Sequence, residues 1–294
     1  MHDIMKLLNN IAGIFLTIPL LVTACQKEPD KAEPVDPVDL VEVSFSARIN
    51  DMATRVDDSE FETGDKISVF ACHEAVLSSS NYAQNVRYSF SEDLFKAKSP
   101  VTYPANASLT FYAVYPYGNY SVPELRFSVE KDQSDFASYM ESDLMTSSVK
   151  AKDKEIVELN FSHRLAKLVL KLNDTASKDK SVTFMDVYTS LDADIADNIY
   201  EKTGRKSDVI AYDDGSDGFK AILPPQKITA GTLLAEISVG NEVFEWVTDS
   251  DIELASGVEY VYTAALKGKV VTISADINSW NDSDETHVDA DRNK

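Results

Sequence analysis

Four histidines, two cysteines and one acidic turn are the places where this chain could do chemistry of its own. His73-Glu74 is not followed by a second histidine four residues on, so no helix face presents the two imidazoles that a zinc protease needs. His2 lies in the apolar N-terminal region and His287 in a polar C-terminal stretch. His163 sits between strand-type residues and reads as a hydrogen-bonded structural histidine. Cys72 has no base marked out for it in the sequence and reads as a small buried hydrophobe. The turn Asp213-Asp214-Gly215-Ser216-Asp217-Gly218 has glycine where a calcium loop needs its second oxygen ligand, and no glutamate closes it. No glycine-flanked serine elbow, phosphate loop or dinucleotide fingerprint occurs. The expectation is a protein with no catalytic residue, no cofactor and no metal, and therefore not an enzyme. Tyr112, Tyr115, Tyr117 and Tyr120 could form a platform for a glycan, but strand packing followed by a turn is the reading we favour.

Two further residues are candidates for chemistry done to the chain rather than by it. Ile11 to Val22 is an apolar run too short to cross a bilayer as a helix, which takes about 20 residues, and of the right length for the core of a secretory signal. It ends in Leu21-Val22-Thr23-Ala24-Cys25, which resembles the lipobox of bacterial lipoproteins. That resemblance implies removal of residues 1–24 and acylation of Cys25, anchoring a precursor to the outer membrane. Several acyl chains hold firmly where one is marginal, at about 0.8 kcal/mol per buried methylene. Residues 25–39, rich in proline and acid, have little to bury and read as a tether. The second residue is Arg55, in the polar connector Ala53-Thr54-Arg55-Val56, where a protease could reach the backbone.

These residues must be positioned by strands. Val41, Val43, Phe45, Ala47 and Ile49 alternate with Glu42, Ser44, Ser46 and Arg48, giving a strand with one apolar face. Buried in full, five such side chains would contribute at most about 7–15 kcal/mol, comparable with a domain's net stability. Lys66–Cys72, Val86–Phe90, Ser108–Tyr115 and Leu125–Val129 follow as strands, with room for one helical turn within Ser134–Met145. Val157, Leu159, Phe161 and Leu165 share one parity and Ala166, Leu168, Leu170 and Leu172 the other, so a bulge or a change of sheet is expected near Arg164-Leu165. Leu191, Ile195 and Ile199 recur every four residues, which fits either a short helix or an irregular strand pair. Leu233–Val239 and Val243–Val247 flank the hairpin signal Gly240-Asn241. Val258–Leu266 and Val270–Ile277 form a last pair. The pattern predicts an all-β chain of two β-sandwich domains, 40–156 and 157–280, followed by a polar acidic tail, 281–294.

With 28 Lys and Arg against 49 Asp and Glu the formal charge is −21. Such a surface repels nucleic acid and anionic lipid headgroups, so neither is expected as a partner, and membrane contact would come from the lipid on Cys25 alone.

Several stretches together resemble the fimbrillin family of Bacteroidales, the subunits of type V pili. They are Gly64-Asp65-Lys66-Ile67-Ser68-Val69-Phe70, Tyr115-Pro116, Ser142-Asp143-Leu144-Met145, Phe161-Ser162-His163-Arg164-Leu165-Ala166-Lys167-Leu168, Leu223-Pro224-Pro225-Gln226, Gly257-Val258-Glu259-Tyr260 and Ile277-Asn278-Ser279-Trp280. The resemblance implies transthyretin-like sandwiches, export as a lipoprotein, and cleavage by an arginine-specific protease between Arg55 and Val56. It also implies assembly with other pilus subunits by donor-strand exchange, the strand Val41–Ile49 being released and a neighbour's strand taking its place. Residues 281–294 carry only Val288 and Ala290 as aliphatics and lack the apolar alternation of a donor strand. A tip or accessory subunit of the cell-surface fimbrium is therefore expected rather than a stalk subunit. The alternative is a monomeric surface lipoprotein that binds glycans or host ligands.

Overall fold

The computed structural model describes residues 40–50, 60–73, 76–173, 179–216, 218–267 and 270–280. The chain divides into two units, Met1–Val38 and Asp39–Lys294, and every described residue belongs to the second. Cys25, Arg55, Val56 and the tail 281–294 lie outside the described residues.

The first half runs β1 (Ser44–Ile49), β2 (Lys66–Cys72), β3 (Ala83–Ser91), β4 (Leu94–Lys96), β5 (Leu109–Tyr115), β6 (Glu124–Ser128), α1 (Phe136–Glu141), β7 (Met145–Ala151) and β8 (Ile156–His163). The second runs β9 (Ala166–Asn173), β10 (Lys180–Asp194), β11 (Ile199–Ile210), β12 (Tyr212–Asp213), β13 (Gly218–Leu223), β14 (Gln226–Ile228), β15 (Leu233–Val239), β16 (Glu242–Val247), β17 (Ile252–Leu254), β18 (Val258–Lys267) and β19 (Val270–Ser279). The protein is all-β, with one helix of six residues among those described. That helix is capped by Asp135, whose carboxylate accepts from the Ser138 amide at 3.0 Å.

Seven strands close on themselves in the order β1-β4-β3-β2-β5-β7-β8. In the second half one sheet runs β11-β10-β15-β16 and the other β12-β13-β9-β18-β19, with the pair β14-β17 apart from both. The chain changes sheet between β8 and β9, where the apolar parity slips: β8 belongs to the seven-stranded ring and β9 to the second half. The ring therefore extends past residue 157. In the other direction, β6 leaves the ring and pairs with β10, from Glu124↔Asp194 to Ser128↔Ser190.

Three apolar clusters follow from this arrangement. One fills the ring, with Phe45, Val69, Phe111 and Phe161 fully buried. One lies between the two sheets of the second half, around Leu168, Phe184, Ile237 and Ala264. The third joins the halves, combining Phe70, Leu144 and Tyr139 with Leu191, Ile222 and Trp280. Strands β2 and β5 are covered on both faces, so their apolar runs are nearly continuous where a one-sided strand would alternate.

The stretch from Leu191 to Ile199 is the tip of a strand pair. Leu191 and Ala193 are buried in β10, Asp194 accepts the amides of Ala196 and Asp197 in the turn, and Ile199 opens β11 half exposed. A spacing of four is a multiple of the strand period as well as near the helical one, which is why the sequence left both readings open. Gly240, at φ +60, supplies the left-handed turn residue of the β15–β16 hairpin.

The corner between β8 and β9 is held by several interactions at once. His163, fully buried, sets Nδ1 2.8 Å from the Asp143 carboxylate. Its ring stacks on Trp280 with centroids 3.8 Å apart and planes 11° from parallel. Lys167 lies over the indole, 5.3 Å from the Trp280 ring centroid, and pairs with Glu259 at 3.2 Å. The amide of Gly257 donates to the Leu165 carbonyl and that of Trp280 to the Gly257 carbonyl. Elsewhere two buried glutamines stitch backbone to backbone: Gln133 bridges the N–H and C=O of Ile222, and Gln226 those of Tyr188. Trp280→Ala removes the stacking surface at the corner and is expected to cost about 3–5 kcal/mol of stability. Val243→Ala, on an exposed face, should stay within about 0.5 kcal/mol of the parent. Urea denaturation followed by circular dichroism measures both; an unchanged midpoint for Trp280→Ala would show that the corner holds nothing.

Candidate functional site

The slot filled by β1 is the site that the strands build. β1 is parallel to β8 over six register pairs, from Ser44↔Ile156 to Ile49↔Phe161, and meets β4 at one, Phe45↔Phe95. Its ladder extends beyond the strand at both ends. The Val41 carbonyl accepts from Tyr103 and the Val43 amide donates to Val101, while the Asn50 amide donates to Phe161 at 2.7 Å. Val43 and Phe45 are fully buried, and the Phe45 ring stands edge-on to Tyr88 at 4.9 Å and Phe111 at 5.3 Å. Val41, Ala47 and Ile49 are only half covered. Two full and three partial burials bring the apolar anchoring to about 5–10 kcal/mol, within the upper bound that full burial of all five would set.

Because β1 closes the ring, its removal would expose an edge on β4, an edge on β8 and the Phe95, Phe111 and Val157 side chains beneath. An opening of that kind is stable only if another strand fills it. The segment that joins β1 to β2 is fastened at both ends. Asn50 is held by the β8 backbone, and the Phe61 ring packs within 5.0–5.5 Å of Phe95, Tyr115 and Phe161. Arg55 and Val56 fall between these fastenings, in residues 51–59, outside the described residues. Arg48 lies inside β1, registered with Asn160, with its guanidinium in an exposed pair to Glu158 at 3.2 Å; its backbone is held in the ladder.

The other candidates resolve into structural roles. His163 is the hydrogen-bonded core histidine that its surroundings in the sequence suggested. Cys72 is buried; that burial pushes its thiol up, and Sγ rests 3.7 Å from the Thr110 carbonyl, so it is no activated nucleophile. Burial works against the charge of Asp214, yet hydrogen bonds from Ser216 and the nearby Lys220 hold its carboxyl below the usual range. The turn it organises is braced by its own backbone amides. Among the described residues no three His, Cys, Asp or Glu side chains are placed to hold a metal ion, and no helix is long and apolar enough to cross a membrane. The tyrosine cluster does not form a platform. Tyr112 and Tyr115 are 6% and 4% exposed, Tyr120 is half-buried and donates to the Pro116 carbonyl, and Tyr117 is exposed, beneath Arg87.

What sequence reasoning did not reveal is that its scattered motif stretches meet. Asp143, His163, Lys167, Gly257, Glu259 and Trp280 come from four of those stretches and assemble into the one corner described above. Strand pairing brings them together, and nothing in their spacing along the chain could have announced it.

Comparison with known proteins agrees with this architecture. The model of the family described as fimbrillin-like matches residues 54–280, beginning just after β1. The structure of a candidate cell adhesion protein from Bacteroides uniformis superposes with a TM-score of 0.63 at 21% identity, covering 83% of this chain and 100% of that one. A second candidate cell adhesion protein, from Bacteroides ovatus, gives a TM-score of 0.66 at 16% identity, over 82% and 98% of the two chains. At such identities the likeness is one of fold. Comparison with curated protein sequences gives no match. With the family model spanning most of its length, the chain belongs to the fimbrillin-like family of fimbrial proteins and is a structural protein, not an enzyme.

Proposed function

We propose that the chain is a subunit of a cell-surface fimbrium, made as a precursor lipidated on Cys25 and matured by cleavage between Arg55 and Val56. In this reading the seven-stranded ring and the paired sheets of the second half are the two transthyretin-like sandwiches. β1 is a plug that keeps the ring closed during export. Cleavage severs the plug from the body, and a strand from a neighbouring subunit replaces it, pairing with β8 and β4 and seating an apolar side chain where Phe45 was. The observation that carries the proposal is the position of β1. It is buried enough to be needed, it is joined to the rest by one connector fastened at both ends, and it lies ahead of the matched family segment.

The exchange is energetically balanced, because the outgoing and incoming strands bury similar apolar area. It becomes irreversible once the covalent link is cut and the released strand is diluted. The subunit is placed in this reading at a tip or in an accessory position, where it takes a strand; the lack of apolar alternation in residues 281–294 supports that placement.

Two experiments test this. Limited digestion of the exported protein with trypsin, followed by N-terminal sequencing, should give a new N-terminus at Val56, and Arg55→Ala should abolish it. If cleavage occurs only elsewhere, or the cut product forms no oligomer with any co-expressed fimbrial subunit, the maturation scheme fails. Separately, growth with an alkyne-labelled fatty acid should label the wild-type chain in the membrane fraction. Cys25→Ala should be unlabelled, and a labelled Cys25→Ala would place the lipid on another residue.

A further inference from the structure

The ring of the first half has no free edge, but the two sheets of the second half do, and they are treated differently. β11, at one end of its sheet, carries Lys202, Arg205 and Lys206, a glycine at φ +77, and two register shifts against β10. Those are the means by which an edge is kept from pairing. β16, at the other end of the same sheet, reads Glu-Val-Phe-Glu-Trp-Val, with no Lys, Arg, Gly or Pro, and among the described residues it pairs only with β15. The facing sheet ends at β19, which among the described residues pairs only with β18.

Between these two edges, which carry Glu242, Glu245 and Asp276 but no cation, runs a groove of about 930 Å³. Its floor shows where the core stops. Tyr260 and Tyr262 of β18 are 5% and 6% exposed, yet their direct partners across the ladder, Ile277 and Ala275, are exposed, Ile277 by 53%. Paired residues on adjacent strands share a face, so the apolar face of this sheet continues onto β19, where Val271 and Ile273 are partly covered by the core and Ala275 and Ile277 are not. Trp246, tilted against Tyr262 with centroids 4.7 Å apart, is the last covering side chain on β16. Trp246, Ala275 and Ile277 line the same groove, so a strand added beside β16 would enter it next to these side chains. The groove lining also has a charge bias. It contains Glu245, Asp249, Asp251 and Glu253 and no Lys or Arg, and of the four carboxylates Asp251 is paired, with Lys227 from outside the lining.

We propose that this groove takes an extended segment of a partner polypeptide, added as a strand to the free edge of β16. Its alternate residues are apolar and lie on Ile277 and Ala275; the residues between them are Lys or Arg and face the carboxylates at the rim. Backbone pairing gives such a site its affinity, and the side-chain alternation and charge give its selectivity. This site is separate from the β1 slot. It is open while β1 is in place, so it serves a precursor as well as a matured subunit and does not depend on cleavage at Arg55.

The test uses the full chain with Arg55→Ala, so that β1 stays in its slot. The probe is a capped synthetic peptide in which Val and Lys alternate over the length of β16, titrated by calorimetry at low salt. Saturable binding is expected, weakening as salt is added. Hydrogen exchange should slow at the β16 amides and stay unchanged at β1, β4 and β8. A peptide with Glu in place of Lys should bind about tenfold or more weakly. Ile277→Lys, at a position already half exposed, should weaken the Val–Lys peptide about tenfold without moving the denaturation midpoint. Absence of binding, equal binding of the two peptides, full binding to Ile277→Lys, or protection at β1 instead of β16 would each overturn the proposal. None of these results bears on whether Arg55 is cleaved.

Discussion

Strands β8 and β9 are consecutive in the chain and belong to different sheets, and the turn between them decides where every later strand can go. A change of sheet leaves backbone groups and one side-chain face without their regular partners, so something else must hold them. Here the carbonyl of Leu165 is taken by Gly257, while His163 is clamped between the Asp143 carboxylate and the Trp280 ring. A planar imidazole and a planar indole lying nearly parallel exclude water from both, and Lys167, paired with Glu259, also lies over the indole. The last described residue of the chain is thereby fastened to its middle. β18 runs parallel to β9 in register from Glu259↔Lys167 onward, starting from this corner.

With that corner fixed, the two halves solve the problem of free edges in different ways. The first half closes into a ring, and closure needs β1, which comes first in sequence yet sits beside β8, which comes last. A strand recruited from the far end of the sequence is the one most easily separated, since it is linked to the rest on one side only. The second half stays open. Lysines and a glycine kink guard β11, whereas β16 and β19 border an uncovered strip of apolar surface. One half thus has a slot with its strand in place, and the other has an edge and a groove without one.

The polar groups found inside the molecule support this frame. Gln133 and Gln226 each satisfy backbone groups that sheet pairing leaves over, and both make their bonds to residues far along the chain. Cys72 and Tyr115 are held in their neutral forms by burial, with Asp65 adding to the effect at Tyr115. The chemistry that this protein undergoes is expected on its covalent chain, at Cys25 and Arg55, and its folded body provides shape and edges.

The sequence alone determined the class of fold and most of its strands. Alternation with period two is a local property, legible in Val43-Ser44-Phe45 or in Leu233 to Val239 whatever surrounds them. It also located the parity slip at Arg164-Leu165, because a one-residue shift of face needs no knowledge of the partner strand. It could not choose between helix and strand from Leu191 to Ile199, where a spacing of four satisfies both periods. It could set only an upper bound on the burial of β1, because alternation says which side chains share a face and nothing about how far a neighbour covers them. Only the tertiary structure decided that β1 lies parallel to β8, that β6 crosses to β10, and that His163 meets Trp280. These are pairings between segments far apart in the chain, selected by the requirement that every buried backbone group and apolar face find a partner at once. The uncovered strip beside β16 belongs to the same category. No residue in it is unusual, and it exists only because β16 and β19 become the last strands of two facing sheets.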